Sequence, residues 1–328
     1  MDKVAHLSVQ ERSELFTEAA TKKGTTPAVV EKDFWVTWVL FRLFHEQDLA
    51  RLLIFKGGTS LSKVYNLIER FSEDIDLVLD WRVLGGDDPL ATRSKSKQSQ
   101  LNASINEHAR KFIGGKLLQM TDAALTGICD CRIEDDPHVI NISYPAAFPD
   151  HYLRPEVRLE IGPLASLQPC EVRSISCYAA EAFPEVFEQR EATVKVIKAE
   201  RTFWEKTTIL HHEAHRPEGN AQPPRYSRHY YDLAKMARSP IKERALADPE
   251  LLAEVVAFKQ RFYPRGWARY DLAIPGTTVL IPKGHVLSSV RSDYRAMENM
   301  IFGEVLDFEE ILAALQMLQE EINARFSS

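Results

Sequence analysis

The sequence predicts a two-lobe α/β (α+β) protein, with an α/β lobe over residues 1–185 that includes N-terminal helices, and a mainly helical lobe over 186–328. Three observations carry this expectation. A strand, a Gly-rich turn, a helix and a second strand follow one another between Leu52 and Asp80. Further strand-like runs lie near 137–144, 156–162 and 171–178. After about residue 185 the pattern turns helical, with Asp248-Pro249 and Asp307 with Glu310 as helix starts and strong periodicity from 307 to 326. A chain of 328 residues also suits two cores better than one.

Each element has its own signal. Ser8 with Glu11 reads as a capping box opening a helix to about Lys23, and Gly24 suits the left-handed residue after its end. Thr26-Pro27 starts a second helix to about Phe44, whose apolar Val29, Val30, Phe34, Trp35, Trp38, Val39 and Phe41 call for burial. Leu52–Phe55 is a short buried strand, Thr59 to about Arg70 a helix, and Ser72–Asp80 an alternating strand. Residues 82–100 read as a loop with a basic end, Arg93, Lys95 and Lys97, leading into a helix near 101–115.

Composition narrows the function classes. With 45% hydrophobic and 27% charged residues the chain is that of an ordinary folded protein. No run is long and apolar enough for a membrane span and the start lacks a signal peptide, so a cytoplasmic protein without membrane contact is expected. The four cysteines fit neither a disulfide framework nor a zinc pattern. A net charge of −6 argues against non-specific nucleic-acid binding by the whole molecule, although residues 195–238 hold nine Lys or Arg against five Asp or Glu, and four of the ten histidines.

The most informative stretch is Phe55-Lys56-Gly57-Gly58-Thr59-Ser60-Leu61, followed by Arg70-Phe71-Ser72-Glu73-Asp74-Ile75-Asp76-Leu77. A glycine pair ending a strand lets backbone approach a phosphate, and the next helix offers unpaired amides, with the Thr59 and Ser60 hydroxyls as added donors. In the following strand Ser72, Asp74, Asp76, Val78 and Asp80 share one face and Ile75, Leu77 and Leu79 the other. Two carboxylates on one face repel unless cations sit between them, which points to Mg²⁺ (or Mn²⁺) and to two-metal transfer with pyrophosphate as leaving group. Glu160, on a strand whose buried side is Val157, Leu159 and Ile161, is the third carboxylate expected, with Asp80 and Glu156 as alternatives. The plain alternative makes Gly-Gly a turn and the aspartates the solvated side of an edge strand. Both signals in order, joined by one helix and led in by Arg70 and Ser72, favour the chemical one. GGTSLSK does not fit the GxxxxGK[ST] phosphate loop, and no GxGxxG fingerprint occurs.

Together these two segments resemble the AbiEii/AbiGii-type nucleotidyltransferase toxins of the polymerase-β-like superfamily. Glu31-Lys32-Asp33-Phe34 resembles that family's N-terminal helix, and Glu205-Lys206 its second motif, whose lysine meets the nucleotide. The fourth motif, RxxKDxxD, falls on Arg225-Tyr226-Ser227-Arg228-His229-Tyr230-Tyr231-Asp232, where Arg225 and Asp232 match while Arg228 and His229 replace lysine and aspartate. The resemblance covers roughly residues 26 to 235. It implies a polymerase-β-like lobe and nucleotide contacts from Gly57, Gly58, Thr59, Ser60, Lys206, Arg225, Arg228 and Asp232. It further implies metal-binding catalysis by Asp74, Asp76 and Glu160, an NTP substrate, a cognate antitoxin, and RNA such as the tRNA 3′ end as acceptor. Nucleotidylation of a protein or small molecule, or a non-catalytic nucleotide- or RNA-binding regulator, are the alternatives.

The helical lobe is expected to complete the cleft, with Lys206 beside the buried stripe of Phe203, Trp204, Thr207 and Leu210, reaching a phosphate oxygen. His211 and His215 share a helix face at a spacing that can hold zinc, but the run around His212 does not fit HExxH, so substrate contact or a solvated helix end is expected instead. Trp35, Trp38 and Trp204 are expected in the core. Tyr226, Tyr230 and Tyr231, interleaved with Arg225, Arg228 and His229, suit base stacking and an amphipathic helix equally.

Overall fold

The computed structural model of the chain describes residues 1–70, 74–148 and 155–325. It has a mixed α/β architecture and divides into two compact units, one of residues 1–64 and 72–197 and the other of residues 65–71 and 198–328. Among the described residues no helix is long and apolar enough to cross a membrane.

The first unit is built on a seven-stranded mixed sheet of β1 (Leu53–Lys56), β2 (Asp74–Leu79), β3 (Asp130–Arg132), β4 (Val139–Ser143), β5 (Glu156–Gly162), β6 (Cys170–Ser176) and β7 (Glu191–Ile197). Their spatial order is β3-β4-β5-β2-β1-β7-β6. β2 lies antiparallel to β1 and parallel to β5, and β1 is parallel to β7. On β2 the side chains of Ile75, Leu77 and Leu79 are buried as their alternation requires, while Asp74 and Asp76 stay half-buried. Val78 departs from the polar face: it packs with Ile54 and Ile197 under Ala165, Leu167 and Cys170, so this end of the sheet is covered on both sides.

Three elements differ from the sequence expectation. β7 lies beyond residue 185, where helix was expected; its buried Ala192, Val194 and Val196 alternate with polar residues, but the run is short and abuts a strongly helical segment. The helix expected from Thr59 to Arg70 spans only Gly57–Lys63, and Asn66 then takes a left-handed backbone. The helix expected near 101–115 starts at Lys95, capped by Ser94, with Arg93 bound to the carbonyls of Asp88 and Pro89. The Ser8 capping box, the left-handed Gly24 and the Thr26 cap are formed as expected.

The Pro27–His45 helix carries three consecutive charged residues that are all buried, Glu31, Lys32 and Asp33. Burying charge is costly unless each group finds partners, and each does. Glu31 accepts from the amides of Ala147 and Phe148 at 2.7 and 2.9 Å. Lys32 donates to the carbonyl of Glu156, the first residue of β5. Asp33 accepts from the ammonium of Lys63 at 2.6 Å and the amide of Tyr178 at 2.7 Å, and Lys63 also donates to the Ser176 carbonyl. The lysine that ends GGTSLSK is therefore a structural anchor for its short helix.

The second unit is helical, with helices at Ala199–Ala214, Ser227–Ala237, Ile241–Leu246, Pro249–Phe262, Gly284–Met297 and Phe308–Ala324. Asp248 caps the fourth of these and Asp307 forms a capping box with Glu310 on the last; residue 326, the expected end of that helix, lies outside the described residues. Phe203, Trp204, Leu233, Tyr294 and Leu315 are buried, and the Trp204 indole donates to the Ala245 carbonyl. The 65–71 segment joins this unit through a bridge between Arg70 and Ile301 and a bond from the Phe302 amide to the Glu69 carbonyl.

Removing one member of a buried ion pair strands the other. Lys63→Met is expected to lower unfolding stability by about 3–5 kcal/mol, read as a shift of the urea midpoint at unchanged slope.

Candidate active site

The glycine turn and the aspartate strand form one constellation in the first unit. β1 delivers Lys56 opposite Asp76 of β2, and the chain turns at once into the Gly57–Lys63 helix. Gly57 has φ of +79°, and a Cβ built on it would lie 1.9 Å from Oδ2 of Asp76. No side chain fits between this backbone and that carboxylate, which is why the turn needs glycine here. Thr59 and Ser60 are buried, and their hydroxyls are taken by the carbonyls of Asp74 and Gly57. Thr59 thereby fastens the turn to β2, and Ser60 closes the first turn of its own helix.

Across the sheet Asp76 is paired with Glu160 and Asp74 with Arg158, so the three carboxylates Asp74, Asp76 and Glu160 lie on one face of adjacent strands. Glu160 forms an ion pair with Arg158 at 3.6 Å. The two alternative carboxylates are engaged elsewhere. Asp80 caps the next turn and pairs with Arg82, whose hydrogen bonds and charge outweigh the effect of burial and hold its pKa below the usual carboxylate range. Glu156 pairs with Arg132 at 2.9 Å. Among the described residues no three His, Cys, Asp or Glu side chains converge into a ready metal cage. Ser72, named with Arg70 as leading into the strand, lies outside the described residues.

In the second unit Lys206 is buried and its ammonium is 2.7 Å from Oδ2 of Asp232, a partner from another helix. Arg70 binds the same carboxylate through two bonds of 2.7 Å. Asp232 is fully buried, with both oxygens taken by these cations. Burial alone would raise its pKa, but Arg70 and Lys206 hold it far below the usual range. Lys206 is shifted downward, by burial first and by the neighbouring Arg70 and Arg228 charges, against the pull of Asp232. Arg225 is exposed with φ of +63°, and its amide and that of Ser227 donate to Asp293, a cap that the motif did not signal.

The remaining aromatic and histidine candidates resolve. Tyr230 and Tyr231 are buried, which removes them as base-stacking residues, whereas Tyr226 is half-buried and meets the His229 ring edge-on at 5.0 Å. Trp35, Trp38 and Trp204 are core residues. His211 accepts from the Val279 amide at Nδ1 and donates to the Arg269 carbonyl at Nε2, so both nitrogens are committed and the ring is neutral. His215 is bonded to the His211 carbonyl, and no zinc site forms at this pair. Four of the nine cations of 195–238 are spent within the fold: Arg201, Lys206, Arg216 and Lys235 are paired with Glu205, Asp232, Glu213 and Glu69.

Residues 38–314 match the family model described as nucleotidyl transferase AbiEii toxin, type IV TA system. Among solved structures the chain is similar to MenT4, a nucleotidyltransferase toxin from Mycobacterium tuberculosis H37Rv, at 17% identity and a TM-score of 0.42, covering 96% of this chain and 97% of that one. No curated protein matches the chain.

Two outcomes follow from this geometry. Gly57→Ala must displace Asp76 and strain the turn, and is expected to reduce transfer by about 10²-fold or more while costing about 1–2 kcal/mol of stability from the left-handed backbone alone; a transfer assay and a melt on the same sample check both. The histidines set the acid limit. Burial lowers the His211 pKa to about 4 and that of His229 well below 6.5. Both bind protons more readily when unfolded, so stability is full above about pH 6.5 and is lost as pH falls toward about 4, with His211 contributing on the order of 3 kcal/mol. Urea melts from pH 7.5 to 4.5 should show this slope, and His211→Gln should flatten it.

Proposed function

The chain belongs to the AbiEii nucleotidyltransferase toxin family of type IV toxin–antitoxin systems, and from that premise we propose that it transfers a nucleotidyl group from an NTP to a hydroxyl of RNA at a site containing Mg²⁺ or Mn²⁺. The observation that carries this reading is the seating of the Asp76 carboxylate on Gly57, with Asp74 and Glu160 on the same sheet face.

The donor set fits a divalent cation. Asp74 and Asp76 offer hard oxygens from neighbouring positions on one face, where two anions repel unless a cation lies between them. Glu160, which pairs with Arg158, would be the third carboxylate of the set. A bound Mg²⁺ supplies Lewis-acid stabilisation of charge on the phosphate oxygens.

The protein's own groups do the positioning. The backbone of Gly57 and Gly58 receives the phosphates, while the Thr59 and Ser60 hydroxyls hold that turn in shape. In the second unit Asp232 orients Lys206 and Arg70, and the family resemblance is what assigns Lys206, Arg225, Arg228 and Asp232 to the nucleotide. The acceptor hydroxyl gives up its proton to solvent and bonds to the α-phosphorus, the bond from that phosphorus to the oxygen bridging to the β-phosphate breaks, and pyrophosphate leaves with that oxygen. The 3′-terminal hydroxyl of a tRNA is the acceptor of this type that the resemblance implies, and a cognate antitoxin is the corresponding protein partner.

Incubation with each labelled NTP, Mg²⁺ and total cellular RNA or protein tests the proposal. Label on RNA is expected, falling steeply between about 50 and 200 mM salt. Label on protein reassigns the acceptor, and no label in any fraction overturns the reading. Asp76→Asn is expected to abolish transfer without unfolding, and Mg²⁺ should raise the melting temperature of the wild type only.

A further inference from the structure

One long helix of the first unit has no part in the site above. It runs from Lys95 to Phe112, continues through a π-helical turn at Ile113–Leu117 and ends with Leu118–Ala124, a length of roughly 45 Å at the usual helical rise. Its apolar side is spent in the core, where Ile105, Ala109, Ile113 and Leu117 are buried. The solvent side is nearly of one sign. From Ser94 to Lys116 the chain has five Lys or Arg and a single acid, Glu107, a net of +4 in a molecule of net −6. All five cations, Lys95, Lys97, Arg110, Lys111 and Lys116, are exposed. Glu107 lies 4.0 Å from Arg110 and 3.3 Å from Lys111, while Lys95, Lys97 and Lys116 form no ion pair among the described residues. Exposed Ser96, Ser99, Gln100 and Ser104 add uncharged hydrogen-bonding groups between the two ends.

The π turn carries a second signal. It holds Gly114 and Gly115, set between Lys111 and Lys116. After proline, glycine is the least favourable residue in a helix, yet the fold requires it at neither position. A Cβ on Gly115 would meet no atom within 4 Å, and one on Gly114 only Ile133 at 3.8 Å, an ordinary contact. Gly114 is exposed and Gly115 half-buried. What the pair provides is bare backbone open to close approach between cations, at the kind of helix irregularity that recurs at functional sites.

The chemistry of the strip selects its partner. An anionic membrane surface would need an apolar face beside the cations, and here that face is buried. Protein interfaces are depleted of lysine at their centres. Cations interleaved with hydroxyl and amide groups over roughly 20 Å of helix fit the repeating phosphates and 2′-hydroxyls of RNA. We infer that the 95–124 helix is a docking surface for the sugar–phosphate backbone of RNA, gripping the acceptor without reading its sequence through residues outside those assigned to the nucleotide and the cation. The inference rests on the RNA acceptor proposed above.

Fluorescence anisotropy of a labelled, mixed-sequence RNA hairpin on the full chain, in EDTA and without NTP, reads docking apart from metal and transfer. Lys95→Gln with Lys97→Gln, and separately Arg110→Gln with Lys111→Gln, should each weaken binding about fivefold or more at about 100 mM salt, and neutralising all five cations should lower the slope of log K against log salt by about 3. Arg51→Gln with Arg190→Gln removes two exposed cations elsewhere in the same unit and should stay within about twofold of the wild type. Gly114→Ala with Gly115→Ala should raise the melting temperature through helix propensity and still weaken RNA binding, a combination that a purely structural role for the glycines does not give. Equal losses in the control pair and the helix pairs, or an unchanged salt slope, overturn the inference. Transfer by the same proteins at subsaturating RNA tests the underlying reading separately. RNA labelled as efficiently by the five-site variant as by the wild type overturns the docking role alone. A wild type that holds the hairpin through this helix but labels no RNA keeps the surface and removes RNA as the acceptor, whereas label on a protein that is lost in the five-site variant overturns RNA as the partner and reassigns the helix to an acidic protein.

Discussion

Three adjacent charges inside the first unit, on Glu31, Lys32 and Asp33, can be buried only if their partners arrive at fixed places, and those partners come from four separate stretches of chain. The amides of 147–148, the start of β5, the Gly57–Lys63 helix and the residue after Cys177 are all tied to one helix. Hydrophobic burial is larger in total but non-directional, whereas a charge left unpaired in the interior costs several kcal/mol. The ion pair of Asp33 and Lys63 thus specifies where the short helix stands. Because that helix begins at Gly57, it also specifies where the glycine backbone meets Asp76.

The second unit uses the same device with the sign arranged differently. A single buried carboxylate, Asp232, collects Arg70 and Lys206, and the bidentate geometry of the guanidinium fixes the orientation of Arg70 as a lone ammonium could not. In the first unit the half-buried carboxylates Asp74 and Asp76 share a sheet face with Glu160, whereas in the second a single buried carboxylate is held by two cations.

Much of this was legible in the sequence where local chemistry decides the outcome. Ser8, Thr26, Asp248 and Asp307 marked helix starts because capping is a contact between near neighbours. Asp74 and Asp76 could be placed on one face because a strand has period two, and Glu160 could be named from the alternation of its own strand. What stayed hidden depends on partners distant in sequence. Nothing local says that the hydroxyls of Thr59 and Ser60 are spent on backbone carbonyls, or that Tyr230 and Tyr231 face inward although their neighbours are charged. β7 was missed because a short alternating run beside a long helix carries little signal. Glu31, Lys32 and Asp33 were legible as part of a family likeness, but three charges in a row on a helix look solvated until the structure shows them buried.

The 65–71 segment has a consequence for how the molecule is made. It sits in the sequence between a helix and a strand of the first unit, yet its contacts belong to the second, so the chain passes between the two units three times, after residues 64, 71 and 197. Arg70 leaves the ribosome 162 residues before the carboxylate that binds it. The ion pair of Arg70 with Asp232 therefore forms only after residues 72–197 of the first unit have been made and residue 232 has emerged. A fragment beginning at residue 198 would contain every helix of that unit and still lack the guanidinium that Asp232 is built to hold, so the boundary drawn by contacts is not a place where the gene can be cut.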